Sequence, residues 1–146
     1  MEKKLPVAVI VLTKDEQIHI ERCISNAMCV SNEVYVVDSE STDNTRSIAE
    51  GMGAKAVVHP WPGNQSEQFN WALDNLPLKS EWVLRLDADE YLTDELIEEL
   101  YEKVPQLPAD VSGVEFPRGY IFLGKEIRRG TGRINQFVTN NRNIQF

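Results

Sequence analysis

Asp87-Ala88-Asp89-Glu90 is the stretch of this 146-residue chain that most plainly offers chemistry, because two carboxylates flank a small residue just after the apolar run Trp82-Val83-Leu84-Arg85-Leu86. In extended backbone, residues two apart point the same way, so both carboxylates could approach one cation while Ala88 keeps the middle position slim. Such hard oxygen ligands suit Mg2+ or Mn2+. Neither ion usually sits in an all-protein cage, so a phosphate-bearing ligand and water would complete the shell. A diphosphate brought beside Asp38, Asp87 and Asp89 would meet like charge worth about 4 kcal/mol per pair at about 4 Å and an effective dielectric near 20. A divalent ion reverses that sign. The competing reading makes the same acids a solvated cap for a helix starting near Thr93.

The elements that would position these groups follow from hydrophobic patterning. Val7 to Leu12 is apolar on both faces, as a strand inside a covered parallel sheet must be. The polar stretch Thr13-Lys14-Asp15-Glu16 then starts a helix predicted over 15–28, with Ile20, Cys23, Ile24 and Ala27 on its apolar face. Further strands are predicted at 33–37, 55–59 and 82–86, a fifth at 111–116, and helices after Ser41-Thr42-Asp43, over 65–75 and over 93–104. This βαβαβαβα order specifies an α/β fold, a mostly parallel sheet flanked by helices. Ligands of such sheets bind beyond the carboxyl ends of the strands, and there three strands deliver Thr13, Asp38-Ser39 and Asp87-Ala88-Asp89-Glu90. Asp38 reads either as an acceptor for a nucleobase imide or ribose hydroxyl, or as an acidic support for the turn after it. Gly51-Met52-Gly53-Ala54-Lys55-Ala56 loosely fits a dinucleotide fingerprint but lies between helix and strand, so those glycines are read as a helix C-cap.

Composition narrows the classes. The net charge of −8 and pI near 4.8 argue against duplex nucleic acid as a partner. The charge is uneven: residues 118–146 hold six basic residues and one acid, or +5, while the first 117 hold nine and 22, or −13. The basic segment 118–133 could meet an anionic lipid surface, or be a solvated edge hairpin or dimer contact. From about Thr131 an Asn- and Gln-rich tail, 131–146, has no pattern that predicts a structure, which leaves 1–130 as the domain. No apolar run approaches the roughly 20 residues of a membrane span, and the amino terminus lacks a signal-peptide pattern, so the expected location is cytoplasmic, at most against the inner face of a membrane. Cys23 and Cys29 are read as reduced, buried thiols on different sides of one helix. Two His and two Cys leave almost no ligands for a zinc site.

Taken together, the ordered blocks Val9 to Glu16, Ile20 to Cys23, Val36 to Thr45, Gly53 to Lys55, Gln68 to Leu73 and Trp82 to Glu90 resemble the family 2 glycosyltransferases of the GT-A fold, particularly the bacterial branch acting on lipopolysaccharide cores. The resemblance covers about residues 5–130. It implies a Rossmann-like GT-A nucleotide-diphospho-sugar transferase fold, here truncated. The implied activity is inverting, divalent-metal-dependent transfer of a sugar, with a UDP-sugar the expected donor, to a saccharide or lipid-linked acceptor. It also implies that Thr13, Glu16, Asp38, Ser39, Gln68 and Asp87 hold the nucleotide, and that Asp87 and Asp89 hold Mn2+ or Mg2+, with Asp89 the direct ligand. The acceptor hydroxyl, deprotonated by a carboxylate base, would displace the diphosphate.

Three positions depart from the family pattern: Phe69 stands where many relatives carry Arg, Glu40 where Gly is common, and Ser39 where a second Asp is frequent. Relatives are longer, with acceptor region and base downstream. Glu115 and Glu126 are the sole acids after Asp110 and neither lies in a base motif, so the catalytic residue is unassigned. A missing half-sheet would expose apolar surface, which makes a homodimer an expectation. Three readings therefore stand: a glycosyltransferase, a truncated non-catalytic nucleotide-sugar-binding module, and a flavodoxin-like phospho-acceptor domain.

Overall fold

The structure, a computed structural model, describes residues 3–107 and, beyond them, the backbone of four strands. Strands β1 (Val7–Thr13), β2 (Glu33–Asp38), β3 (Lys55–Val58) and β4 (Trp82–Asp87) alternate with helices α1 (Ile20–Ala27), α2 (Thr45–Gly51), α3 (Gln65–Asn75) and α4 (Asp94–Lys103). Then come β5 (Gly113–Pro117), β6 (Tyr120–Phe122), β7 (Lys125–Ile127) and β8 (Ile134–Thr139). Six strands form one sheet in the order β3-β2-β1-β4-β8-β5, while β6 and β7 pair separately. β1 to β4 run parallel, and β8 lies antiparallel between β4 and β5.

All seven residues of β1 are buried, because both faces of the sheet are covered. Val7, Val9 and Val11 pack with Val34, Val36, Leu84 and Leu86 beneath α1, α2 and α4, through Ile20, Cys23, Ile24, Ala49 and Leu100. The alternate set, Ala8, Ile10, Leu12, Tyr35, Val37 and Val83, packs against Phe69, Ala72 and Leu73 of α3. Thus the period-2 alternation of an all-apolar run divides into two cores. Helix starts follow chemistry: Asn64 accepts from the Glu67 amide at α3, and Thr93 from the Leu96 amide at α4. At the end of α2, Gly53 takes φ +95°, the C-cap geometry expected of it.

The structure refines several expectations. The flavodoxin-like alternative requires β1 between β2 and β3, whereas here β1 lies between β2 and β4 with β3 at the edge. The predicted fifth strand is present, from Gly113 to Pro117, with β8 between it and β4. That β8 comes from the segment whose composition predicts no structure; Ile134 and the Phe137-Val138 pair supply its apolar content, and partner strands override a polar composition. Finally, α1 begins at Ile20 rather than at residue 15. Asp15 has φ +50°, outside the helical region, and the amides of Asp15, Glu16 and Gln17 are given to side chains of the following βα loop.

The carboxyl end of α1, at Ala27, divides the cysteines. Cys23 is buried, and burial pushes its thiol up to about 12; Cys29 lies past the helix end and is exposed, contrary to the expectation of two buried thiols. Ellman's reagent should therefore titrate one thiol in the native protein and two in urea. A second thiol reacting at the native rate would contradict the packing of α1 on the sheet.

Candidate functional site

Parallel register levels the strand ends. Thr13 pairs with Asp38 across β1 and β2, and Leu12 pairs with Asp87 across β1 and β4. Thr13, Asp38 and Asp87 therefore end their strands within one residue of each other along the strand direction, a rise of about 3.3 Å, on the carboxyl edge of the sheet. His59, just past β3, joins them by donating its amide to the Asp38 carbonyl at 2.9 Å.

Asp38 is fully buried. Its Oδ1 accepts from Thr13 Oγ1 and Ser41 Oγ, each at 2.6 Å, and its Oδ2 from the Ser41 amide at 2.7 Å. Arg46 Nε lies 3.6 Å from Oδ2. A buried carboxylate is tolerable only with this degree of pairing. These bonds tie Asp38 and Thr13 to the loop after β2, as the turn-supporting reading of Asp38 expects.

Two βα loops are interlocked above that knot. Asp15 donates its amide to Ser41 Oγ at 2.7 Å and returns Oδ1 as acceptor for the Thr42 amide at 2.8 Å. The Glu16 amide donates to Thr45 Oγ1 at 2.8 Å, the Gln17 amide to Asp43 Oδ2 at 3.2 Å, and the Asn44 amide to Gln17 Oε1 at 3.2 Å. Asp43 also accepts from the Thr45 amide and hydroxyl, so the polar Ser41-Thr42-Asp43 run starts α2 by a turn, with Asn44 as the cap residue. Sequence reasoning missed Asp15, Ser41 and Thr45 as members of this lattice. A short polar run advertises a turn; it does not name the distant loop to which it bonds.

Glu40 occupies φ +59°, and Lys14 Nζ donates to its carbonyl at 2.8 Å. The left-handed conformation explains why glycine suits this position. Glu40→Gly should raise stability by roughly 0.5–1 kcal/mol and the thermal midpoint by a few degrees, measured by differential scanning calorimetry. A lower midpoint would contradict the strain.

The remaining nucleotide-site residues form a second group. Gln68 is fully buried, donating Nε2 to Ser39 Oγ at 3.2 Å and to the His59 carbonyl at 3.1 Å, while its Oε1 lies 2.7 Å from His59 Nδ1. This assigns the ring proton to Nδ1. His59 in turn stacks on Trp71, with centroids 4.0 Å apart. Gln68 and Ser39 thus tie α3 to the end of β2. Phe69, the departure from Arg, is a core residue beneath the Arg85 guanidinium, 5.9 Å from its ring centre.

The acidic turn differs from its expected geometry. β4 ends at Asp87, and Ala88-Asp89 form a turn, so the alignment of an extended strand does not apply to the pair. The Asp87 amide donates to Glu90 Oε1 at 2.8 Å and the Glu90 amide to the Asp87 carbonyl at 2.9 Å. Since Thr93 caps α4, the acids are not spent on that helix. Glu16, in the loop after β1, feels their charge. Its carboxyl is held above the usual range, first by burial and then by the charges of Asp89, Asp87 and Asp43, with His19 opposing. Electrostatics thereby places Glu16 and the two aspartates in one field.

Among the described residues no three His, Cys, Asp or Glu side chains converge as a ready metal cage. Asp87 and Asp89 offer only oxygen ligands, a donor set that fits Mg2+ or Mn2+ sharing its shell with water and phosphate. Among the described residues, no helix is long and apolar enough to cross a membrane.

Comparisons with known proteins agree with this architecture. An uncharacterized glycosyltransferase of Rickettsia bellii is 43% identical over 94 residues, which is 64% of this chain and 31% of that protein. The chain spans about a third of the length of the curated relatives it matches. Among solved structures, the mannosyltransferase PcManGT from Pyrobaculum calidifontis, in complex with GDP-Man and Mn2+, is 26% identical with a TM-score of 0.58 over 76% of this chain and 34% of that one. Glucosyl-3-phosphoglycerate synthase from Mycobacterium tuberculosis, in complex with UDP, shares the fold at 22% identity, with a TM-score of 0.61 over 78% of this chain and 45% of that one. The sequence pattern described as Glycosyl transferase family 2 matches residues 8–145, and the chain belongs to that family.

Proposed function

We propose that this chain binds a nucleotide-diphospho-sugar, a UDP-sugar being the expected donor, and contributes to inverting transfer of the sugar to a saccharide or lipid-linked acceptor such as a lipopolysaccharide core. The observation that carries the reading is the levelled carboxyl edge, where the Thr13–Asp38 knot, Glu16, Asp87 and Asp89 come from β1, β2 and β4. The likeness to a mannosyltransferase complexed with GDP-Man and Mn2+ supports it.

Each residue has a part in this reading. Asp38, through Thr13 and Ser41, fixes the loop against which the nucleoside lies. Ser39 and Gln68 hold the β2 and α3 side of that seat. Asp87 and Asp89 would hold Mn2+ or Mg2+, which when bound stabilises charge on the leaving diphosphate. The acceptor hydroxyl oxygen forms the new bond to the anomeric carbon as the carbon–oxygen bond to diphosphate breaks, and its proton passes to a base outside the residues assigned here. The basic segment 118–133 supports a peripheral contact with an anionic membrane surface, where a lipid-linked acceptor would be found.

Calorimetry with UDP and GDP, each with and without Mn2+, tests the donor site. Metal-dependent binding of either supports it, and no binding in any combination overturns it. Slow hydrolysis of a bound UDP-sugar separates a transferase from the non-catalytic binding module, which would bind without turnover.

A further inference from the structure

We propose that Arg85 is a built-in cation of the donor site, one that holds Asp87 in position and meets the anionic diphosphate beside it. This rests on the donor-binding reading above. Arg85 and Asp87 alternate with Leu86 on β4, so both lie on the α3 face of the sheet, with Arg85 one pleat repeat below the edge. Val83, the next residue on that face, is fully buried in the α3 core. A charge entering this apolar layer is costly unless paired.

Among the described residues, Gln65, Phe69 and Asp87 stand around the guanidinium. Nη2 donates to Gln65 Oε1 in the first turn of α3, the Phe69 ring lies 5.9 Å away, and Nη2 stands 3.9 Å from Asp87 Oδ1. The Arg85 side chain keeps only 14% of its surface exposed and Asp87 19%, so the pair is largely shielded from water at the end of β4. Arg22 approaches the same turn differently: its Nη2 meets the Asp89 carbonyl at 3.4 Å and its guanidinium lies over Tyr91. Arg22 therefore braces the turn, whereas Arg85 acts on a carboxylate.

A fixed positive charge beside Asp87 has opposite effects on two ligands. It repels a bare divalent ion from that carboxylate and attracts a diphosphate. Loss of the fold would weaken both, so the signs separate the roles.

Calorimetry on this chain, titrated with Mn2+ alone, with UDP plus Mn2+ and with inorganic diphosphate plus Mn2+, makes the test on wild type, Arg85→Gln and Arg85→Lys. For Arg85→Gln we expect Mn2+ alone to bind about 3-fold tighter, and UDP and diphosphate to bind at least about 10-fold weaker. Arg85→Lys keeps the charge and should hold diphosphate within about 3-fold of wild type. Unchanged UDP and diphosphate affinities in Arg85→Gln, or parallel weakening of Mn2+ and nucleotide, overturn the proposal alone. Should Arg85→Gln fail to fold, Arg85→Lys decides, and a 10-fold loss in that variant overturns it. Wild type that binds neither UDP nor diphosphate overturns the donor-site reading itself.

Discussion

Asp89→Asn should abolish metal-dependent nucleotide binding, weakening UDP in the presence of Mn2+ by roughly 100-fold or more while the thermal midpoint stays within a degree or two. The two outcomes separate because Asp89 is exposed and, among the described contacts, is tied to the chain through its carbonyl, which accepts from Arg22, rather than through its carboxylate. Neutralising it leaves the turn held by the reciprocal bonds between Asp87 and Glu90. The substitution should also let the Glu16 carboxyl fall toward its ordinary range, because Asp89 is the largest charge raising it after burial. Mn2+-dependent calorimetry reads the first effect, and an NMR titration of the Glu16 carboxyl reads the second. Wild-type affinity for UDP with Mn2+ would remove Asp89 from the site.

Asp38→Ala should do the reverse, destabilising the protein by about 3 kcal/mol and losing nucleotide binding as a consequence. Removing this carboxylate leaves the Thr13 hydroxyl, the Ser41 hydroxyl and the Ser41 amide without their shared acceptor in a buried position, and strips Arg46 of its counter-ion. Ser41 also accepts from the Asp15 amide, so damage at Asp38 spreads into both βα loops. Urea unfolding should show a lower midpoint with little change in slope. A loss of binding with full stability would instead make Asp38 a direct ligand contact and contradict the loop-building role. Together the two variants separate a carboxylate proposed to meet a ligand from one that holds the loops together.

Much of the architecture was legible in residue order. Val7 to Leu12 could be little other than an interior strand, and the alternation with Ile20, Cys23, Ile24 and Ala27 identified a helix laid across it. Thr13, Asp38 and Asp87 close β1, β2 and β4 on one edge, as the sequence order implies, because strands that run parallel must end on the same side. These are local signals of periodicity combined with one global rule of topology.

What only the tertiary structure decided is how each polar group at that edge is spent. Nothing in the order of residues tells that Asp38 is buried among Thr13, Ser41 and Arg46 while Asp89 stands in solvent, since both follow apolar strands and both are aspartates. Their difference comes from neighbours brought in from other strands and loops. Likewise the start of α1 depends on amides donated to a loop some 26 to 29 residues away, and β8 on strands β4 and β5 that give an Asn- and Gln-containing segment its place. Periodicity is a property of neighbouring residues and can be read along the chain. Hydrogen bonding and burial at an edge are properties of the assembled fold, because a donor has the same sequence whether its acceptor is water or a carboxylate from another strand.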